Sequence, residues 1–172
     1  VKNIVLIGTR YLNLLLLPIL IIVFTFSDYI IFTILGSMFI SGKLILQLMI
    51  INIFIFAISM PLSTQILGSG YSVISAKIGT IMFLLNIILN FLFIPSYFLG
   101  YKMLNFGAEG AAFATLISTI VYSLLLRYYS FKIFGTPLKI VQNLLFLIIT
   151  LSIIFAMFYI KTSFDISGLI EF

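Results

Sequence analysis

Residues Asn86–Pro95 read NIILNFLFIP: two amides, four positions apart, inside a run of Ile, Leu and Phe that stops on a proline. A four-residue spacing returns to the same face of a helix, so Asn86 and Asn90 share one side, with Gly79 on that side two turns earlier. The residue before a proline is pushed out of helical geometry, which sets the end of the helix at Ile94. What those two amides meet depends on the solvent around the helix.

Composition answers that first. Hydrophobic residues make up 63% of the chain and charged residues 8%, with a mean hydropathy of +1.36. A water-soluble domain carries about 25% charge, so there is too little polar surface here to cover a soluble globule. Apolar runs long enough to cross a bilayer, which takes roughly 20 helical residues, recur along the chain. The sequence therefore predicts an all-α, polytopic transmembrane helix bundle forming a single domain over residues 1–172. The chain has no cysteine and no histidine. Thiol chemistry is excluded, and the commonest metal ligand and general base is missing. No metal site, no cofactor and no catalytic group is predicted, and the chain does not read as an enzyme. The net charge of +5 needs no nucleic acid to explain it, because basic residues mark the cytoplasmic side of membrane chains. The first residues run straight into a span without a small-residue cleavage site.

Five spans are expected: Ile4–Phe26 with Pro18 inside, Leu44–Leu67 with Pro61 inside, Val73–Ile94, Gly110–Tyr129 and Asn143–Ile160. Two connections are too apolar for solvated loops and too short to cross. DYIIFTILGSMFISGK, with Asp28 near its start and Gly36 near its end, and FKIFGTPLKIVQ, with Lys132 and Lys139, each read as an interfacial half-helix. The GSGYS stretch at Gly68 reads as a plain turn, since it lacks the spacing of a nucleotide loop.

Charge then assigns sides. Lys2, Arg10, Lys77, Arg127, Lys132 and Lys139 fall on one side with no acidic residue, whereas Lys43, Lys102 and Lys161 share the other with Asp28, Glu109, Asp165 and Glu171. That bias places the N-terminus of this chain in the cytoplasm, in a multi-pass protein of the cell membrane. An odd number of spans followed by the partial tail TSFDISGLIEF suggests a piece of a longer transporter.

Polar residues recur on helical faces: Asn86 and Asn90; Asn52, Ser59 and Ser63; Ala111, Thr115, Ser118 and Tyr122. One reading is helix–helix packing, with small residues allowing close approach and amides bonding across the seam. The other is a substrate cavity, for which Asn86, Asn90, Asn52, Ser59 and Ser63 are the candidates. Pro18 and Pro61 each free a carbonyl one turn earlier, at Leu14 and Ala57, and serve either as static kinks or as hinges for alternating access. No carboxylate lies at the centre of a span, which argues against a self-contained proton relay.

The stretch NIILNFLFIP followed by FGAEGAAFATLIS resembles the C-terminal half of polysaccharide flippases in the multidrug/oligosaccharidyl-lipid/polysaccharide exporter superfamily. In those proteins a span of the form N-x-x-x-N-x-x-x-I-P precedes a glycine-rich turn, and G-A-A-x-A-T opens the next span. Here the matching positions are Asn86, Asn90, Ile94 and Pro95, then Gly107, Gly110, Ala111, Ala112, Ala114 and Thr115. Looser similarity extends from Leu14 to Lys139. The linker SYFLGYKMLN is longer than is typical of the polysaccharide branch, a departure towards the drug antiporters. The resemblance implies a protein of two pseudosymmetric bundles, with this chain supplying most of the second and a missing N-terminal bundle as its partner. It implies a flippase that moves a polyprenyl-linked oligosaccharide or polysaccharide repeat unit across the membrane, in contact with membrane lipid. The alternatives are a multidrug or cation antiporter, which needs buried carboxylates, and a membrane-embedded glycosyltransferase-type enzyme, which needs positioned acids or a metal.

The charge bias makes a direct prediction. Single cysteines replacing Lys77 and Lys132 in the intact protein are expected to be protected from an external impermeant thiol reagent, and one replacing Lys102 is expected to react. Labelling at 77 with protection at 102 reverses the topology.

Overall fold

A computed structural model describes residues 2–98, 101–136 and 152–153. Helix α1 (Lys2–Thr25) breaks at Phe26 and continues as the short helix α2 (Ser27–Leu35). Gly36 ends α2 with φ at 90°, a left-handed conformation that glycine adopts without steric cost. A 3-10 segment (Ser37–Gly42) leads into α3 (Lys43–Gly68), and a tight turn at Ser69–Tyr71 starts α4 (Ser72–Phe93). Two short antiparallel strands, β1 (Tyr97–Phe98) and β2 (Tyr101–Lys102), then form a hairpin before α5 (Gly107–Phe134). Among the described residues four helical stretches are long and apolar enough to cross a membrane: Asn3–Thr25, Ser37–Gly68, Ser72–Phe93 and Gly107–Phe134.

Helix α5 packs against both α3 and α4, and α1 packs on the other side of α3. The side-chain pairings fix the directions. Ser59 meets Ser123 and Gln65 meets Ser130, so α3 and α5 run parallel. Gly110 at the start of α5 lies against Phe93 at the end of α4, so those two are antiparallel. Gly8 faces Pro61 while Gln47 reaches the carbonyl of Phe24, so α1 is antiparallel to α3. The α1–α2 elbow, the start of α3 and the hairpin therefore share one end of the bundle. The start of α1 and the α3–α4 turn share the other with the last turns of α5.

That second end holds the hydrophobic core. Val5 of α1, Leu62 and Ile66 of α3, Ile78 of α4 and Leu126 of α5 are all buried, with Ile74, Tyr122, Leu125, Tyr129 and Phe134 packed around them. All four long helices contribute, so this cluster fixes one end of the bundle, its core end. The elbow end is closed by polar groups instead. Lys43 pairs with Asp28 at 2.8 Å. Gln47 donates to the Phe24 carbonyl and to the Ser27 hydroxyl, both at 3.1 Å.

The structure corrects two expectations and shows what the long linker does. The expected fourth span, Gly110–Tyr129, is part of a longer helix, α5, that begins at Gly107 and ends at Phe134. Lys132 accordingly lies on the same helix as Arg127 and not in a separate segment. FKIF, expected to open a second interfacial half-helix, is the last turn of α5, which Gly135 ends in left-handed geometry with its N–H bonded to the Phe131 carbonyl. The rest of that segment and the expected fifth span, Asn143–Ile160, lie outside the described residues. Finally, the long linker folds back as a hairpin. Helix α4 ends at Phe93, and the carbonyls of Leu92, Phe93, Ile94 and Pro95, which no further helical turn serves, accept instead from the N–H groups of Leu104, Phe106, Gly107 and Asn105, respectively. The linker thus caps α4 where the helix itself cannot.

The tightest approach is at Gly110, where an added Cβ would stand 2.8 Å from the Phe93 carbonyl oxygen, while one at Gly79 would meet nothing within 4 Å. Gly110→Val is expected to destabilise the bundle by about 1–3 kcal/mol through forced separation of α4 and α5. Gly79→Ala is expected to be neutral or stabilising by about 0.5–1 kcal/mol, since its helix gains backbone rigidity at no steric cost. Thermal unfolding in detergent compares the two.

Candidate functional site

The amide pair on α4 is tied to α5. Asn90 Nδ2 donates to Asn86 Oδ1 at 3.0 Å, and Asn86 Nδ2 donates to the Thr115 hydroxyl at 3.4 Å. Thr115 in turn donates to the carbonyl of Ala111 at 2.9 Å. The four-residue spacing produces this chain: it stacks the two carboxamides on one face of α4, and the small residues opening α5 let Thr115 come within reach. The Asn86–Thr115 bond is at the long limit for a hydrogen bond and therefore weak. The Oδ1 of Asn90 is buried without a partner. Around Asn90, the residues Ile87, Phe91, Ile94 and Pro95 line a mostly apolar groove of about 420 Å³.

The second stripe goes to a different seam. Ser59 is fully buried, and its hydroxyl donates to that of Ser123 on α5 at 2.7 Å while lying 2.7 Å from the Ile55 carbonyl. A serine hydroxyl has one proton, so the two contacts share it or alternate. Ser63 accepts from the Tyr122 hydroxyl at 3.3 Å, and Tyr122 stacks on Phe56 with ring centroids 5.9 Å apart. Asn52 is partly buried, and its Oδ1 has no partner.

Both stripes converge on α5. The face Ala111–Thr115–Ser118–Tyr122 supplies the Thr115 contact to α4 and the Tyr122 contact to α3, while Ser118 turns back to the Ala114 carbonyl at 2.7 Å. The structure therefore brings Asn86 and Asn90 together, and Ser59 and Ser63 together, but across separate seams of one helix. Of the two prolines, Pro18 is exposed on α1, whereas Pro61 is half-buried on α3 opposite Gly8.

Sequence reasoning missed a third polar group. Gln65 and Ser130 are both buried and bonded at 2.8 Å, with the Thr136 hydroxyl touching Ser130. The signal was available, since Gln65 is the single glutamine near the end of an apolar span, six residues beyond Ser59. Among the described residues no group of His, Cys, Asp or Glu could hold a metal ion.

The chain matches no family model, no curated protein and no solved structure.

The Ser59–Ser123 contact gives a testable energy. Interhelical hydrogen bonds between membrane helices average about 0.6 kcal/mol by double-mutant cycle. A cycle over Ser59→Ala and Ser123→Ala is expected to return a coupling of about that size, read from unfolding of the reconstituted protein. A coupling indistinguishable from zero leaves the pair as space-filling only.

Proposed function

We propose that this chain forms a membrane-embedded bundle of a transporter of the flippase type. Such a protein moves a polyprenyl-linked oligosaccharide from the cytoplasmic to the outer leaflet of the cell membrane, with the core end of this bundle on the cytoplasmic side. One observation carries the reading. A chain of amides and a hydroxyl, Asn90–Asn86–Thr115, lies between two long apolar helices, and it keeps one acceptor in reserve at Asn90 beside an apolar groove.

Carboxamides both donate and accept, which suits the alternating donors and acceptors of sugar hydroxyls. The weak link of the chain, Asn86 to Thr115, opens at low cost if α4 shifts on α5. Two amides and a threonine then become available to the polar head of a cargo, and the groove at Ile87, Phe91 and Ile94 accommodates apolar chain. The distribution of acids favours this reading over an antiporter. Among the described residues the carboxylates are Asp28 and Glu109, both at the elbow end, and Asp28 is engaged by Lys43. A cation-coupled exchanger requires a carboxylate within a span.

The test uses full-length protein in proteoliposomes containing a fluorescent polyprenyl-linked oligosaccharide. Asn86→Leu/Asn90→Leu is expected to insert and to melt within a few degrees of wild type while flipping falls at least tenfold. A destabilised protein with normal flipping per folded molecule makes the asparagines interhelical glue. Wild-type protein that exchanges cationic dyes and does not flip the lipid sugar transfers the reading to the antiporter class.

A further inference from the structure

Two side-chain donors beside the last turns of α5, Arg127 on α5 and Gln65 on α3, have no acceptor among the described residues. Arg127 lies seven residues before the final helical residue, Phe134, or roughly 10 Å inside the end at 1.5 Å per residue. Its side chain is half-buried, yet among the described residues it has neither a carboxylate nor a hydrogen-bond partner. A guanidinium offers five N–H donors and accepts none. One turn on, Ser130 is bonded to Gln65, whose Nε2 is buried with no acceptor in a residue only 4% exposed. Both unpaired groups are donors, and both lie at the core end of the bundle.

The position of Arg127 on the helix says from where an acceptor would come. Ser123 and Ser130, four before and three after it, are buried on the α3 side, whereas Leu124 and Phe131 are exposed. Arg127 thus stands at the margin between the seam and the open face of the bundle. A cation held inside an apolar helix end without a counter-charge is costly unless an anion meets it.

From these two unpaired donors we infer an oxyanion site, with a phosphate group as ligand and Arg127 as its main contact, supported by the Gln65 amide. Guanidinium forks match the spacing of phosphate oxygens and bind them in bidentate fashion, which a lysine ammonium does not. The phosphate comes either from a lipid headgroup at the adjoining leaflet or from free phosphate. The assignment to the cytoplasmic leaflet rests on the flippase reading, but the binding does not, so the two fail separately. The competing account is simple snorkelling, in which Arg127 extends to water as a point charge and any nearby cation serves equally well.

The test uses purified full-length protein in dodecyl maltoside, titrated with dioctanoyl phosphatidic acid and followed by phosphorus NMR line broadening and thermal shift. Wild type is expected to bind saturably. Arg127→Gln is expected to weaken binding at least tenfold, Arg127→Lys severalfold, and Gln65→Met by a smaller factor. Lys132→Gln removes an exposed cation on the next turn and is expected to stay within twofold of wild type. Displacement by inorganic phosphate assigns the site to the free anion, and failure to displace assigns it to a lipid headgroup; either result keeps the site. Wild-type affinity in Arg127→Gln overturns it, as does an equal loss in Lys132→Gln, which reports diffuse attraction only. If Arg127→Gln does not fold, Arg127→Lys decides, because unchanged affinity there removes the bidentate contact. Retained binding in a protein that flips no lipid sugar refutes the transport reading and leaves this one standing.

Discussion

Everything in the bundle depends on how closely α5 can approach its neighbours. Helices this apolar gain little from hiding hydrophobic side chains from lipid, since lipid tails are equally apolar. Cohesion has to come from close packing and from hydrogen bonds between helices. Helix α5 supplies both, because its buried positions are Gly110, Ala112, Ala114, Ser118, Thr119, Ser123 and Ser130, with Leu126 as the one large residue. Small residues bring its backbone against Phe93 of α4, and hydroxyls then reach Asn86 on one side and Ser59 on the other.

The two ends of the bundle are held by different physics. At the core end, Val5, Leu62, Ile66, Ile78 and Leu126 fill the space among four helices, and the contact energy is dispersion spread over many atoms. At the elbow end, the Asp28–Lys43 pair and the two bonds from Gln47 fix α2 across the start of α3. A partly exposed ion pair contributes about 0–1 kcal/mol and orients more than it stabilises. Between these ends, the α4–α5 seam depends on one long amide–hydroxyl bond. The proposed cargo contacts lie on this bond, between the close approach of Gly110 to Phe93 and the buried Ile78 and Leu126.

Backbone accounting explains the hairpin. In hydrocarbon an unpaired carbonyl costs several kcal/mol, and α4, ending at Phe93, leaves its last carbonyls without continuing N–H groups. The linker supplies them from Leu104 to Gly107, so its length serves the helix end and is not slack between spans. Asn105, with φ at 56°, takes the left-handed conformation this turn demands, one that asparagine tolerates better than most side chains. Its side chain accepts from the Ser96 hydroxyl at 2.7 Å.

Periodicity and hydropathy alone located the four long helices among the described residues. The ends predicted for the first three spans, at Phe26, Leu67 and Ile94, lie within a residue of those observed, because proline, glycine and the loss of apolar runs act locally. The shared face of Asn86 and Asn90 was legible for the same reason, since helical geometry carries it. The partner of that face was not, because whether an amide meets another helix, water or a ligand depends on which helix packs there. The end of α5 was misread: the span was expected to stop at Tyr129 with Lys132 in a separate half-helix, yet the helix runs past both until Gly135 stops it. The pairing of Gln65 with Ser130, across 65 positions of sequence, follows from the parallel packing of α3 and α5. That register is a property of the assembled bundle, and no spacing within either helix encodes it.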